Sequence, residues 1–172
     1  MALAALVESP DVDGISFTGS QATGRGIAAS CGQQLKRVQL EMGGKNPLLV
    51  CEDADIAVAV ECAINGAFFS TGQRCTASSR LIVVDAIHDQ FVARMTERIK
   101  ALRVGHALEK GVEIGPVIHQ AQLDKNQQWL QRAVSDGADL ACDGLHSRLD
   151  FTADRCLRRY ANDRRKKSRS VF

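Results

Sequence analysis

The sequence predicts an α/β fold. Strand-like and helix-like segments alternate along most of its 172 residues, and 45% apolar with 24% charged residues is ordinary globular composition. A chain of this size buries roughly two thirds of its unfolded surface without a disulfide or metal staple. The apolar runs are too short to span a membrane, and no charged-then-apolar leader opens the chain. Aromatic residues make up 5%, which argues against a platform for stacking bases.

The elements follow in order. Val12 to Thr18 reads as a short strand stopped at Gly19, and Thr23 to Ser30 as a helix of small residues with Gly32 as its C-cap. Arg37 to Glu41 is a second strand, ended by Gly43 and Gly44. Pro47 to Cys51 is a third, with the continuous apolar run of a buried parallel strand. Asp53 or Asp55 then caps a helix whose apolar stripe is Ile56, Val60, Ala63, Ile64, Ala67 and Phe68. After a polar loop, Leu81 to Val84 is a strand. Phe91, Val92, Met95, Ile99 and Leu102 mark the next helix, with Arg94, Glu97, Arg98 and Lys100 as solvated charges on its far side. Arg103 to Ile118 is irregular. Leu123, Leu130, Ala133 and Val134 form a helix ended by Gly137, and Ala138 to Cys142 a last short strand. There is no internal repeat.

Composition changes near the end. Residues 1–144 hold 13 Lys/Arg against 17 Asp/Glu, whereas residues 145–172 hold 9 against 3, so the overall +2 joins an acidic body to a basic tail. All 14 glycines and 3 prolines lie at or before Gly144. No periodic pattern continues from Leu145. The run Arg164 to Lys167 would suit a nucleic-acid or targeting patch. A solvated, disordered tail is the preferred reading, and an altered reading frame is a third. Nucleic acid is therefore not expected as a partner.

The six cysteines form no CxxC pair, and no histidine stands at zinc-finger spacing from them, so no metal site is expected. They read as cytoplasmic thiols buried as small hydrophobes, Cys51 and Cys62 among them. Cys75 differs. It sits in Gly72-Gln73-Arg74-Cys75-Thr76, a polar junction between a helix and a strand, where a thiol is a nucleophile candidate. Farther upstream, Gly19-Ser20-Gln21-Ala22-Thr23-Gly24-Arg25-Gly26 is similar to a phosphate loop, but Arg25 replaces the lysine and Gly26 the magnesium-holding hydroxyl. That leaves two readings open: an anion contact at a helix N-terminus, or a tight turn that needs small residues.

Three segments in order carry more than any one of them. They are Phe17-Thr18-Gly19-Ser20, Leu40-Glu41-Met42-Gly43-Gly44-Lys45-Asn46-Pro47, and Gly72-Gln73-Arg74-Cys75-Thr76-Ala77. Together they resemble the aldehyde dehydrogenase superfamily from about Val7 to Gly144, with Glu113-Ile114-Gly115-Pro116 similar to its E-x-GP segment. The resemblance implies a partial aldehyde-dehydrogenase-like fold. Residues 1–42 would be the second half of a Rossmann-type NAD(P)-binding domain, and 43–144 part of the α/β catalytic domain. Residues 145–172 would be a basic tail outside the family pattern.

By the same resemblance Cys75 is the nucleophile and Glu41 the general base. Gly19, Ser20 and Gly24 hold the pyrophosphate of NAD or NADP, Phe17 and Thr18 end the preceding strand, and Gly43 lies beside the nicotinamide. The chemistry suits these residues. A thiolate adds to the aldehyde carbon, hydride leaves, and a base-activated water hydrolyses the thioester to a carboxylic acid. Arg74 beside the nucleophile is similar to branches that oxidise short carboxylate-bearing semialdehydes, such as 2-oxoglutarate semialdehyde; a structural hydrogen bond is its alternative. The family's upstream lysine and asparagine, its Glu-x-Phe segment and its oligomerisation arm have no counterparts in these 172 residues. A weakly active or inactive chain is expected on that account, with a non-enzymatic remnant carrying a basic binding tail as the alternative.

Overall fold

Strand, helix, strand is the repeating unit of the chain in the computed structural model, which describes residues 2–142, 156–159 and 168–171. The chain divides into two units, residues 1–44 and 45–172.

In the first unit α1 (Ala2–Glu8) precedes β1 (Gly14–Gly19), α2 (Gln21–Gln33) and β2 (Arg37–Met42). β1 and β2 pair in parallel, from Gly14 opposite Arg37 to Gly19 opposite Met42. The helix between them buries Ile27 and Cys31 with Val7 of α1, over Ile15, Phe17 and Leu40 of the strands. Gly24 faces the sheet so closely that a Cβ there would meet the Met42 sulfur at 2.6 Å. The sequence did not announce α1, a seven-residue helix without a capping residue or a long apolar stripe. Tertiary contact supplies what it lacks: Val7 enters the core, and the Lys36 Nζ donates to the carbonyls of Val7 (2.8 Å) and Ser9 near its C-terminal end.

The end of α2 differs from expectation. Gly32 stays inside the helix, Gln34 is the C-cap, and Leu35 takes the left-handed conformation at φ 55°. The Lys36 N–H bonds the Cys31 carbonyl at 2.9 Å and the Leu35 N–H bonds the Gly32 carbonyl at 3.3 Å, the paired bonds of a Schellman motif. The bonding pattern, not the glycine, decides where the chain turns.

The second unit opens with β3 (Asn46–Val50), α3 (Ile56–Phe68), a 3-10 turn (Phe69–Gly72) and β4 (Ser78–Val84). α4 (Asp85–Lys100), α5 (Gln120–Ser135), β5 (Asp139–Cys142), β6 (Cys156–Arg159) and β7 (Ser168–Val171) follow. The sheet order is β3-β4-β7-β6-β5, with β3 and β4 parallel and the other neighbours antiparallel. Asp55, not Asp53, caps α3, its carboxylate accepting from the N–H groups of Ala57 and Val58. Val60, Ala63, Ile64 and Phe68 of α3 and Phe91, Val92, Met95 and Ile99 of α4 pack with Val50, Leu81 and Val83 into one core.

Three further expectations are corrected. Among the described residues β3 is parallel but lies at the edge of its sheet with Leu49 63% exposed, because an apolar run does not say how many of its faces will be covered. Cys51 and Cys62 are exposed rather than buried. Cys51 follows the last residue of β3, and Cys62 lies on the face of α3 opposite the Val60–Ile64 stripe. Arg98 is not merely solvated, since it bridges two glutamates. Beyond Gly144, where no periodicity pointed to structure, β6 and β7 are short strands held by pairing to distant partners, and β7 lies against β4. The Arg164–Lys167 run lies outside the described residues. Among those described, no helix is long and apolar enough to cross a membrane.

Candidate functional site

In the first unit the predicted residues collect at the carboxyl ends of two adjacent parallel strands, where ligands bind in open α/β sheets. Thr18 pairs directly with Glu41, and Gly19 with Met42. A Cβ at Gly19 would stand 2.5 Å from the tip of the Phe17 ring, which would have to shift to admit it. Ser20 is the N-cap of α2, its hydroxyl accepting from the Thr23 N–H at 3.2 Å. The other first-turn N–H groups have no partner from helix geometry alone, the arrangement that favours an anion. Gly24 lies one turn farther in and is buried against Met42, so its evident task is helix–sheet packing. Gly43 has open space around its Cα, and its carbonyl accepts from the Gln21 side chain at 3.2 Å, tying the loop after β2 to the start of α2. Glu41 is exposed at the end of β2.

Cys75 and Arg74 stand together in the second unit, on the loop between α3 and β4. Backbone strain accumulates just before them. Ser70, Thr71 and Gly72 are successive residues at φ 54°, 54° and 65°. Only the last is a glycine, and a β-branched threonine in this region is an outlier. Such strain clusters at functional sites, at about 1–3 kcal/mol per residue. Cys75 and Thr76 then occupy the centre of a turn closed by the Ala77 N–H on the Arg74 carbonyl at 3.0 Å. The Cys75 thiol is free and exposed. Arg74 Nη2 donates to the Asn65 carbonyl of α3 at 2.6 Å, and the Asn46 side chain donates to the carbonyls of Cys75 (2.6 Å) and Ala77 (3.2 Å). Gly66 lets α3 come close to Ser78, where β4 begins. Among the described residues no cluster of three histidines, cysteines or carboxylates is placed to hold a metal ion.

Residues 1–154 match the aldehyde dehydrogenase family. The chain belongs to that family. It is 44% identical over 141 residues to the chloroplastic betaine aldehyde dehydrogenase of Atriplex hortensis, an alignment covering 82% of this chain and 28% of that protein. Among solved structures it is similar to an aldehyde dehydrogenase from Bacillus cereus in complex with NAD+, at TM-score 0.80 and 32% identity over 84% of this chain and 30% of that one. It is also similar to a succinate-semialdehyde dehydrogenase from Burkholderia pseudomallei, at TM-score 0.80 and 34% identity over 85% of this chain and 30% of that one. The chain thus spans about three tenths of the length of these aldehyde dehydrogenases. The family match runs past Gly144, where the motif resemblance stopped.

Sequence reasoning missed Asn46, Asn65 and Gln21. Asn46 stood inside the Leu40–Pro47 motif without a role of its own, an amide between a Gly-Gly-Lys turn and a proline that opens an apolar strand. Electrostatics around the second unit centre on Arg98 of α4, which bonds Glu61 of α3 at 2.9 Å and Glu113 at 2.6 Å. The Glu113 carboxyl is held below the ordinary glutamate range, first by its bond to Arg98 and then by the Arg103 backbone N–H. The Arg98 guanidinium is raised in turn, chiefly by Glu113. Glu113 belongs to the segment similar to E-x-GP, and in this structure it closes the loop after α4 through Arg98 and the Arg103 N–H.

Proposed function

We propose that this chain carries the nucleophile and part of the cofactor site of an NAD(P)-dependent aldehyde dehydrogenase. The observation that supports it most is Cys75: an exposed thiol at the centre of a turn, entered through three left-handed residues and braced from β3 and α3. In this reading the Cys75 thiolate adds to the aldehyde carbon to give a thiohemiacetal. Loss of hydride leaves a thioester on the same sulfur, and Glu41 activates the water that hydrolyses it to the acid. NAD(P)+ when bound supplies the hydride acceptor. The first unit fits its pyrophosphate through the Gly19-Ser20 turn and the first turn of α2, at the carboxyl ends of β1 and β2, with Phe17 and Thr18 behind the turn. Gly24 supports this by letting α2 lie close on the sheet, and Gly43 by the bond from Gln21 that fixes the loop after Glu41. The four cysteines with described side chains are free, which fits a reducing cytoplasm.

The substrate class in this reading is a small aldehyde. The similar proteins are named for betaine aldehyde and for succinate semialdehyde, which differ in charge. The bond from Arg74 to Asn65 favours a bracing role for this arginine. A carboxylate of a short semialdehyde would have to take the remaining guanidinium N–H groups.

Alkylation tests the central claim. Cys51, Cys62 and Cys75 are all exposed, so exposure alone does not separate them. Limiting iodoacetamide followed by peptide mapping is expected to modify Cys75 first. Labelling of Cys51 or Cys62 at the same rate or faster would remove the nucleophile assignment.

A further inference from the structure

The backbone at the start of β3 is irregular in a way that bears on Cys75. Asn46 pairs with Ser78, but the next residue, Pro47, pairs with Arg80, so Ser79 is an extra residue on β4. Bulges of this kind re-aim side chains and occur beside active sites. Pro47 has no N–H to give the ladder and confines the residue before it to extended backbone. On the other side, Arg80 Nη2 donates to the Lys45 carbonyl at 3.0 Å and holds the preceding peptide. Asn46 is thus fixed between two restraints, and its amide spans the loop. Both carbonyls it holds, on Cys75 and Ala77, flank Thr76. Of the hydrogen bonds among described residues, that from Asn46 is the one made by the Cys75 peptide carbonyl.

We propose that Asn46 is the positioning residue for Cys75: its amide, at the start of β3 beside the β3–β4 irregularity, clamps the carbonyls on both sides of Thr76 and so fixes the backbone from which the thiol projects. The proposal rests on Cys75 being the nucleophile. Two N–H donors on one group set the orientation of both peptides, which a single bond would leave free to rock. Arg74 braces the same loop from α3, but it holds the start of the turn and not the Cys75 peptide carbonyl.

The test compares the alkylation rates of Cys75 and Cys62 in the 172-residue chain, with the exposed Cys62 of α3 as an internal reference outside the hydrogen bonds of Asn46. Asn46→Ala is expected to lower the Cys75:Cys62 ratio severalfold, because alkylation follows the access that the loop conformation gives to the thiol. Asn46→Gln keeps the amide with both donors and is expected to restore most of the lost ratio. Should Asn46→Ala lose its helical circular dichroism, Asn46→Asp, of equal volume and without the donors, takes its place. An unchanged ratio overturns the proposal. So does a glutamine variant as slow as the alanine one, or loss of fold in both Asn46→Ala and Asn46→Asp, since Asn46 would then hold the sheet rather than the loop. If Cys75 does not lead Cys62 in the parent, the nucleophile reading falls and this proposal with it. If Cys75 leads in the parent and the ratio is unchanged in the variants, the Asn46 proposal falls alone.

Discussion

Gly72 shows how narrowly the Cys75 loop is constrained at the scale of one residue. It is left-handed at φ 65°, and a Cβ would stand 2.6 Å from the Ala67 carbonyl oxygen, which as helix backbone has little freedom to move. Gly72→Ala therefore adds a strained φ to a steric overlap. A loss of about 1–3 kcal/mol is expected, read as a fall of several degrees in thermal midpoint. A midpoint within about one degree of the parent would mean the turn is free to rearrange, since each kcal/mol moves a chain of this length by about 2–4 °C. Sequence reasoning found Gly72 only as part of a motif. It also singled out Cys75 from its polar junction; the left-handed Ser70 and Thr71 just before it are a feature of the fold that no residue type announces. The assignment of Cys51 and Cys62 to the interior failed for a related reason. Burial depends on which face of the strand or helix a residue occupies, and a cysteine's hydrophobicity does not report its face.

At the scale of elements, stripes and caps were legible because they are local. The Val60–Ile64 and Phe91–Ile99 faces repeat at the helical period, and an aspartate before the α3 stripe satisfies its first N–H groups. The end of α2 was not legible in the same way. Its Schellman bonds place Leu35, 93% exposed, where glycine is usual. A left-handed leucine costs about 1–2 kcal/mol, and exposure means its side chain contributes little burial in return. Leu35→Gly is accordingly expected to stabilise the chain by about 0.5–1 kcal/mol after the greater flexibility of glycine in the unfolded state is deducted. Urea unfolding measures it, and a lower midpoint in the glycine variant would show that Leu35 makes contacts the structure does not contain.

For the whole molecule the decisive interactions join residues far apart in sequence. Glu61, Arg98 and Glu113 tie α3, α4 and the loop after α4. Because Glu113 has a folded pKa below its unfolded one, its contribution is fully present above the ordinary glutamate range and is lost as pH falls through the depressed folded value. Glu113→Gln should therefore weaken the chain against urea at pH 7, and the gap to the parent should close below about pH 4. A gap independent of pH would assign the effect to packing. By itself, the sequence determined the α/β class, the order of strands and helices from β1 to Cys142, and the family motifs around Gly19, Glu41 and Cys75, because each is written in a local period or a short contiguous string. The tertiary structure alone decided that β3 is an edge strand, that strands form beyond Gly144, that Glu113 pairs with Arg98, and that Asn46 reaches the Cys75 peptide. Those facts depend on pairing across tens of residues, and no local pattern specifies which partner a distant segment will meet.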